Sequence, residues 1–567
     1  MKRNYIIKVS ALLLLLVPSC RYSATEIKRG KHITGSEGMV VSAHPLASLA
    51  GAEILIQGGN AFDAAAATSF ALAVCYPTAG NIGGGSLIVL RESGGTYRAL
   101  DCREKAPMAA SSNMYLDPEG RVISGMSTST RAASGVPGSV AGILEMLDKY
   151  GSMPLDSIIQ PAVDMARYGF PITEKQAGSL NRSARKFKAV NFHDIPFIKD
   201  SSWKKGDTLI QEDLAGTLER IRDNGRDGFY KGLTADLIVA EMKKGNGLIV
   251  HNDLENYNAV WRQALKGSYK GYGIISMPPP SSGGVALLQL LGIMENFLTD
   301  PVDFHSPRHV HLITEAERRV YADRTFYLGD PDYVSVPLKE MIKKEYLLSR
   351  MQNYNPDEAS LSSDIEHGKV PVAESEETTH LSVVDRHHNA VALTTTLNSG
   401  YGNGVVVEGA GFILNNEMDD FSSKPGYPNI YGLIGGEANS IKPGKRMLSS
   451  MTPTIVDKDN KLCMVLGSPG GSTIITSVFQ TIINVIDYGM NMKEAVDAPR
   501  FHHQWMPDLI YFEKEAADSS LLKQLDNMGH KYRVRSPIGR VDAIRITDNG
   551  NMEAGADRRG DDTACGY

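Results

Sequence analysis

The feature that most constrains the fold is a predicted β-hairpin in the last third of the chain. Residues 380–385 and 390–398 are rich in Val, Thr and other strand-forming residues, and a short polar stretch joins them. A connecting loop of about three to five residues places Thr378 next to Thr396 and Asn398 on the neighbouring strand. The hairpin therefore brings two threonine hydroxyls and one side-chain amide together at its open end.

Thr378 is a candidate nucleophile because of the bond that precedes it. If the peptide bond between Glu377 and Thr378 is cut, Thr378 becomes an N-terminal residue with a hydroxyl and a free α-amine. Such an amine has a pKa of about 7.7–8, so near neutral pH it can take the proton of the hydroxyl without help from a histidine. The alternative interpretation is that Thr378 and Thr379 are ordinary strand-forming residues.

The segment before this bond, residues 353–377, is strongly acidic. It contains seven carboxylates and almost no large apolar side chains. Such a composition buries too little apolar surface to offset the entropy of ordering the chain. We therefore expect this segment to be solvated and mobile. Mobility would let it move away from Thr378 once the bond is cut.

The composition indicates a globular protein without a nucleic-acid partner. Hydrophobic residues make up 42% and charged residues 22% of the 567 positions, as in ordinary globular chains. The formal net charge of −6 lacks the basic excess that nucleic-acid binding requires. The length accommodates several ordinary domains or one large fold.

The N-terminus has the pattern of an export signal, residues 1–19. Basic residues precede the apolar run 9–17, which is too short to span a bilayer as a helix. Cys20 then stands where a bacterial lipoprotein is processed and lipidated. The alternative is an ordinary signal peptide cut a few residues later, since Pro18 is unusual at a lipoprotein site. We expect an exported protein, periplasmic or attached to a membrane by a lipid on Cys20.

The remaining cysteines and histidines indicate no metal site, and a structural disulfide is possible after export but is not required. The later cysteines form no C-x-x-C pair, so buried free thiols are the default interpretation for Cys75, Cys102, Cys463 and Cys565. His309 and His311 are two positions apart on a predicted helix and point to different sides. The other histidine pairs are adjacent and lack ligand spacing.

Five separated motifs resemble one protein family. The stretch Thr378-Thr379-His380-x-Ser382-Val383-Val384-Asp385, followed by Thr396-Leu397-Asn398, resembles the γ-glutamyltransferase (glutathione hydrolase) family, whose proenzymes cut themselves before this first threonine. The other matching motifs lie at residues 415–421, 448–454, 468–472 and 499–505.

The resemblance implies an α+β fold, the N-terminal-nucleophile hydrolase sandwich with αββα layers. One precursor would give a large subunit, residues 20–377, and a small catalytic subunit, residues 378–567, which form a heterodimer. In the family, the threonine corresponding to Thr378 attacks, the one corresponding to Thr396 holds its hydroxyl, and glycines corresponding to Gly470 and Gly471 form the oxyanion hole. Taken alone, such a glycine pair is more often a helix cap.

The resemblance also implies a pocket for an amino-acid head group. Arg103 would bind the substrate α-carboxylate, although an arginine at a strand end is usually a surface ion pair. Glu417 and Asp420 would bind the α-ammonium group, although an acidic cluster after a predicted strand at 411–414 can simply cap a loop. Asn398, Ser449 and Ser450 would assist, and Tyr431 would belong to a lid over the site.

The implied activity is cleavage of the γ-glutamyl amide bond of glutathione and related compounds through an ester on Thr378. The acyl group would pass to water or to an amino-acid or peptide acceptor, and no cofactor is implied. Two alternatives stay open among enzymes of this fold, an acylase and a poly-γ-glutamate depolymerase. A third is an exported binding lipoprotein without catalysis.

Overall fold

The computed structural model describes residues 26–299, 301–366, 377–422, 424, 437–535 and 537–567. The strands of these residues are β1 (Lys28–Gly30), β2 (Thr34–Gly35), β3 (Gly38–Ser42), β4 (Gly85–Arg91), β5 (Tyr97–Cys102), β6 (Phe170–Pro171), β7 (Thr208–Leu209), β8 (Val260–Arg262), β9 (Leu265–Tyr269), β10 (Tyr272–Ser276), β11 (Glu377–Asp385), β12 (Ala390–Asn398), β13 (Thr454–Lys458), β14 (Lys461–Gly467), β15 (Phe501–His502), β16 (Ile510–Phe512), β17 (Tyr532–Val534), β18 (Asp542–Ile546), β19 (Met552–Ala556) and β20 (Thr563–Gly566).

The α-helices of the same residues are α1 (Pro45–Ile56), α2 (Ala61–Cys75), α3 (Ser139–Tyr150), α4 (Leu155–Tyr168), α5 (Glu174–Val190), α6 (Glu212–Asn224), α7 (Asp227–Tyr230), α8 (Gly232–Lys243), α9 (His251–Glu255), α10 (Gly283–Phe297), α11 (Pro307–Tyr327), α12 (Leu338–Met341), α13 (Lys344–Arg350), α14 (Thr473–Ile486), α15 (Met492–Asp497) and α16 (Ser519–Asn527). No described helix is long and apolar enough to cross a bilayer.

Two antiparallel sheets form the centre of the fold. The first sheet has the strand order β1-β20-β3-β11-β12-β4-β5-β8, and the second has the order β2-β19-β18-β14-β13-β10-β9. In the first sheet, β11 and β12 lie between β3 and β4. Strands from both sides of the bond before Thr378 therefore share one sheet, and cutting that bond would leave the halves joined by strand pairing.

The hydrophobic core has three layers, one between the two sheets and one between each sheet and the helices that cover it. Val40 and Val383 pack between the first sheet and the helices that cover it. Val41 and Val384, their neighbours along the same strands, pack between the two sheets. Val456 of the second sheet packs on the other side, against α10, α11 and α14. Period-two alternation thus buries both faces of each sheet, and the predicted αββα sandwich is confirmed.

The predicted hairpin is confirmed within a residue or two, and one helix that covers its sheet is fully buried. The alanine-rich helix α2 is buried along its whole length and begins at a capping box between Asn60 and Asp63. The predicted hairpin of β11 and β12 turns at residues 386–389. Cys75, Cys102 and Cys565 are buried free thiols, as expected, whereas the free thiol of Cys463 is partly exposed.

The predicted strand at 411–414 is wrong. Residue Ile413 forms only an isolated bridge to Val406, within the same loop. Gly411 adopts a φ of +76°, and a Cβ there would lie 2.3 Å from the backbone nitrogen of Leu214. This left-handed residue interrupts an extended run that is otherwise apolar enough for a strand.

The first part of the acidic segment, residues 353–366, is anchored at a few points, although most of its residues and all of its carboxylates are exposed. Ser362 and Ile365 are buried, and the Asn353 side chain accepts a hydrogen bond from Arg319 at 2.8 Å. Arg318 and Arg319 are buried on α11 and need partners, which explains why residues 353–366 are held. The remainder, 367–376, lies outside the described residues.

Candidate active site

Thr378 lies at the buried end of the hairpin, opposite Thr396. The register pairs Thr378 with Thr396 and Glu377 with Asn398, with an irregularity between Glu377 and Thr378. Thr378 and Thr396 are both nearly fully buried. The backbone N–H of Asn398, in the left-handed region at φ +74°, donates to Thr396 Oγ1 at 2.8 Å. The neighbours predicted from the hairpin are therefore the observed ones.

Thr378 shares a strand face with His380 and Ser382, and that face looks toward the second sheet. Ser382 Oγ donates to the Asp542 carbonyl of that sheet at 3.0 Å. His380 Nδ1 lies 2.9 Å from Thr394 Oγ1. Burial lowers the pKa of His380 to about 3, so its ring is neutral and its hydrogen bonds join side chains of the core. His380 is therefore a structural residue near the hydroxyl of Thr378.

Gly470 and Gly471 form the turn between β14 and α14. Their φ angles are +131° and +59°, in the region where a Cβ is strained. Within the described chain, neither backbone N–H donates a hydrogen bond to another protein group. Two N–H groups left open at a helix N-terminus suit a negatively charged oxygen.

Arg103 lies at the centre of a buried ionic cluster. Its Nη1 atom lies 2.6 Å from Glu417 Oε2, and its Nη2 atom lies 2.5 Å from Asp420 Oδ2. Nη1 also lies 3.2 Å from Glu104 Oε2. Arg103 is only 1% exposed, so the interpretation as a surface ion pair is wrong, and three carboxylates surround one guanidinium group.

The pKa shifts in this cluster reflect burial and crowding of charge. Burial would lower the pKa of Arg103, but Glu417, Glu104 and Asp420 together raise it above its ordinary value. Burial, followed by repulsion from Glu417, raises the pKa of Glu104 well above its usual range, against the opposing effect of Arg103. The cluster carries more acid than base, which favours an added cation such as an ammonium group.

The acidic residues stand on a short 3-10 helix, Glu417–Asp420, fixed by Asn415. The Asn415 side-chain amide donates to the carbonyls of Gly83 and Gly135, both at 2.8 Å. Gly83 allows the loop before Asn415 to approach closely, since a Cβ there would lie 2.3 Å from the Ile413 carbonyl.

Ser449 and Ser450 are buried beside the loop that opens α10. The Ser449 carbonyl accepts hydrogen bonds from the N–H and the hydroxyl of Ser282, both at 2.7 Å. Arg324 donates to Ser282 Oγ at 2.8 Å and to Ser450 Oγ at 3.4 Å. Sequence reasoning missed Arg324 and Glu104. Glu104 directly follows Arg103, but nothing in the pattern of α11 marks Arg324.

Two cavities meet at Thr378. The first, called here the inner pocket, gathers eight residues that sequence reasoning had singled out, Arg103, Thr378, Thr396, Asn398, Asp420, Ser449, Ser450 and Gly471. The second, called the outer cavity, has a volume of about 420 Å³, and its lining includes Tyr76, Lys175, Arg182, Thr378, Gly470, Arg535, Arg540, Arg559 and Asp561. Thr378 lines both, and the two adjacent glycines are divided between them.

One cluster with metal-ligand geometry occurs in the described part of the chain, away from Thr378. It consists of His311, Glu315 and His530. His311 Nδ1 and His530 Nε2 lie 2.7 Å apart and form a hydrogen bond. The Glu315 carboxylate binds Arg319 at 2.6 Å. The ligand atoms are thus used by protein partners, and the absence of a metal site stays a prediction.

Two predicted site residues cannot be placed. Tyr431, expected in the lid, and Cys20, expected to carry a lipid, both lie outside the described residues. The backbone of Glu377 is described as the first residue of β11. The expectations for the lid and the lipid site therefore stay predictions.

The chain is similar to known proteins along nearly its whole length. The sequence profile described as gamma-glutamyltranspeptidase matches residues 47–567. A glutathione hydrolase proenzyme of Escherichia coli is 46% identical over 538 residues, which is 94% of this chain and 93% of that protein. The structure of Helicobacter pylori gamma-glutamyltranspeptidase is 45% identical, with a TM-score of 0.56, and the match covers 57% of this chain and 94% of that one.

A related acylase has a similar fold. The structure of a cephalosporin acylase from Bacillus halodurans has a TM-score of 0.82 and 26% identity, and the match covers 97% of this chain and 99% of that one. The profile match and the identity to the Escherichia coli protein decide the family. This chain belongs to the gamma-glutamyltranspeptidase family.

Proposed function

We propose that this protein is a self-cleaving enzyme that breaks the γ-glutamyl amide bond of glutathione and related compounds, with Thr378 as the nucleophile. The observation that carries the proposal is the meeting of two cavities at Thr378, with an open glycine turn beside it. A nucleophile at such a junction can hold the acyl group on one side and the leaving amine on the other. The enzyme class also follows from the family.

Maturation would begin at the irregularity in β11. Thr378 Oγ attacks the Glu377 carbonyl, the peptide bond is replaced by an ester, and water then cleaves the ester. The irregular register between Glu377 and Thr378 supports this step, since bulges often lie next to active sites. Thr396 is the neighbour that can position the hydroxyl. The large and small subunits then stay together through the shared first sheet.

In turnover, Thr378 Oγ attacks the γ-amide carbonyl, and the α-amine of Thr378 moves the proton to the leaving nitrogen. The N–H groups of Gly470 and Gly471 stabilise the tetrahedral oxyanion. The resulting ester passes its γ-glutamyl group to water or to an amine acceptor. His380 is buried and hydrogen-bonded to core side chains, so we assign the base role to the α-amine of Thr378 and not to this histidine.

The inner pocket fits an amino-acid head group by charge. Arg103 offers a planar fork to the α-carboxylate, and Glu417 and Asp420 offer carboxylates to the α-ammonium group. One oxygen of Glu417, Oε1, has no hydrogen-bond partner among the described residues. These groups bind each other in the structure, so a zwitterion would replace each partner with a group of the same charge.

The acylase alternative rests on the fold shared with the cephalosporin acylase. An acyl group with no α-ammonium would leave Glu417 and Asp420 without a cation other than Arg103, and desolvation of a carboxylate without a partner is costly. The charges of the inner pocket therefore favour γ-glutamyl compounds. Export, with lipidation at Cys20, is proposed from the sequence alone.

The test is intact mass spectrometry of the purified, incubated protein, with N-terminal sequencing of the smaller fragment. We expect a fragment that begins Thr378-Thr379-His380, and release of glutamate from glutathione by the cleaved protein. A chain that stays whole, or a cleaved protein that acts on cephalosporin side chains but on no γ-glutamyl compound, would overturn the proposal.

A further inference from the structure

The outer cavity is the part of the site proposed above to hold the leaving amine, and its lining indicates which amines fit there. It borders Thr378 and Gly470, whereas the inner pocket borders Thr378 and Gly471. Its volume of about 420 Å³ falls in the range of small-molecule sites and far exceeds what ammonia needs. If the inner pocket holds the γ-glutamyl group, as the proposed function requires, the outer cavity receives the leaving amine and the acceptor.

The lining of the outer cavity is strongly basic. It contains five cationic side chains, Lys175, Arg182, Arg535, Arg540 and Arg559, and one carboxylate, that of Asp561. Two of the cations already pair with carboxylates of residues that do not line the cavity. Arg559 pairs with Glu513 at 2.5 Å and with Asp557 at 3.1 Å, and Arg540 lies 3.6 Å from a carboxylate oxygen of Asp562. Asp561 accepts a hydrogen bond from Thr173.

Lys175 and Arg182 keep their charge available. Lys175 Nζ donates to the backbone carbonyl of Arg559 at 2.9 Å, and neither residue forms an ion pair with any described carboxylate. They stand seven positions apart on α5, close to two helical turns, so they face the same side. A cation pair on one wall of a cavity attracts and orients a carboxylate.

We propose that the outer cavity selects leaving groups and acceptors that carry a carboxylate, and that Lys175 and Arg182 bind it. The substrate class is γ-glutamyl peptides with a free C-terminal carboxylate, in preference to γ-glutamyl compounds with a neutral leaving group. This inference rests on the proposed function. In the reaction the γ-glutamyl C–N bond breaks, the C–O bond to Thr378 forms, and the hydroxyl proton moves to the leaving nitrogen.

With an acceptor, the steps run in the opposite direction. The acceptor amine attacks the ester carbonyl, the new C–N bond forms, the C–O bond breaks, and the amine proton returns to Thr378 Oγ. An acceptor carboxylate bound by Lys175 and Arg182 would orient the amine for this attack, since holding two reactants in place removes much of the entropic cost.

The test compares glutathione with its C-terminal amide, which differs only in the leaving-group carboxylate. We expect the wild-type enzyme to prefer the acid, and the preference to fall as ionic strength rises. In the double variant Lys175→Ala/Arg182→Ala, kcat/KM for the acid should fall about three- to tenfold relative to the amide. The charge reversal Lys175→Glu/Arg182→Glu should invert the preference.

Lys188→Ala is the matched control, since Lys188 is exposed on the same helix but does not line the outer cavity. This variant should have the same ratio of kcat/KM for the acid to kcat/KM for the amide as the wild type. Equal losses for acid and amide in the double variant, or a wild-type enzyme without preference, would overturn the inference. If the wild-type enzyme cleaves both compounds at the same rate, the inference fails but the proposed function is supported. If it cleaves neither compound, the proposed function itself is contradicted.

Discussion

Asp420 Oδ2 lies 2.5 Å from Arg103 Nη2, and the two residues are proposed to bind the oppositely charged ammonium and carboxylate groups of one amino-acid head group. The pair is buried, so each charge has exchanged water for the other. Binding of a zwitterion would separate them without leaving either charge alone. The cost of opening the pair is therefore offset only by a ligand that carries both an ammonium group and a carboxylate.

This arrangement predicts different effects of two substitutions at Arg103. Arg103→Ala leaves Glu104, Glu417 and Asp420 together without their cation, so we expect a loss of about 3–5 kcal/mol in the free energy of unfolding. Arg103→Lys keeps the positive charge but loses the planar guanidinium group that can bind a carboxylate through two N–H groups at once. It should fold, with a KM for γ-glutamyl substrates raised about tenfold or more. Thermal unfolding and steady-state kinetics measure both, and an unchanged KM in Arg103→Lys would remove the carboxylate-binding role.

Thr378→Ala should give a single uncut chain without turnover, because it removes the hydroxyl for both cleavage and acyl transfer. Thr379→Val is the matched control. Thr379 is buried on the opposite face of β11, and its hydroxyl has no hydrogen-bond partner among the described residues. The control should be cut and active. A denaturing gel separates the outcomes, and two subunits from Thr378→Ala would refute the nucleophile.

Cys20→Ala tests the lipid anchor. If Cys20 carries the lipid, this variant should move from the membrane fraction to the soluble fraction after cell breakage, because the acyl chains provide the membrane affinity. Cys463→Ala, at a partly exposed free thiol in the folded region, should stay with the membranes. Identical fractionation of wild type and Cys20→Ala would exclude lipidation at this residue.

The local part of the site could be predicted from the sequence. The register of Thr378 against Thr396 follows from two strands of alternating pattern and a short turn. The buried helix α2 follows from its alanine-rich and nearly uncharged sequence. In both cases, residues close in sequence determine the outcome.

The rest depends on contacts between distant residues. Arg324 reaches Ser282 and Ser450 from a helix whose charges would suit a solvated surface equally well. The anchoring of residues 353–366 depends on buried arginines of α11, which an acidic composition alone does not reveal. The outer cavity is lined by residues from α5 and from the C-terminal end of the chain, and no spacing in the sequence brings these together.

Gly470→Ala should disturb the oxyanion hole. An added Cβ would lie 2.4 Å from Thr473 Oγ1, at a φ of +131°, so the turn must shift and its N–H groups must move. We expect kcat/KM to fall about 10²–10³-fold, as for the loss of one oxyanion donor. Gly489→Ala, at φ +64° with no neighbour within 4 Å, carries similar backbone strain far from Thr378. Its activity should stay near wild type, and equal losses in both variants would contradict the assignment.

Stability should fall as the pH drops below about 6.5, because many histidines are buried in the neutral form. Burial is the main cause that lowers the pKa of these rings to about 3 to 4, namely those of His44, His305, His309, His380, His502, His503 and His530. The unfolded chain binds protons at these rings from about pH 6.5 downward, whereas the folded chain does not until about pH 4. Each ring thus contributes stability that is complete above pH 6.5 and is lost as the pH falls.

The slope of the unfolding free energy against pH measures this effect. Between pH 6.5 and 4.5, each such histidine contributes up to about 1.4 kcal/mol per pH unit. His309→Gln is the informative variant, since His309 lies outside the active site and its Nδ1 atom accepts one backbone hydrogen bond that glutamine can retain. Urea unfolding at pH 7.5, 6.5, 5.5 and 4.5 should show a shallower slope for the variant, by about one proton. An identical slope would mean that His309 is protonated in the folded protein and that its burial is not what depresses stability in acid.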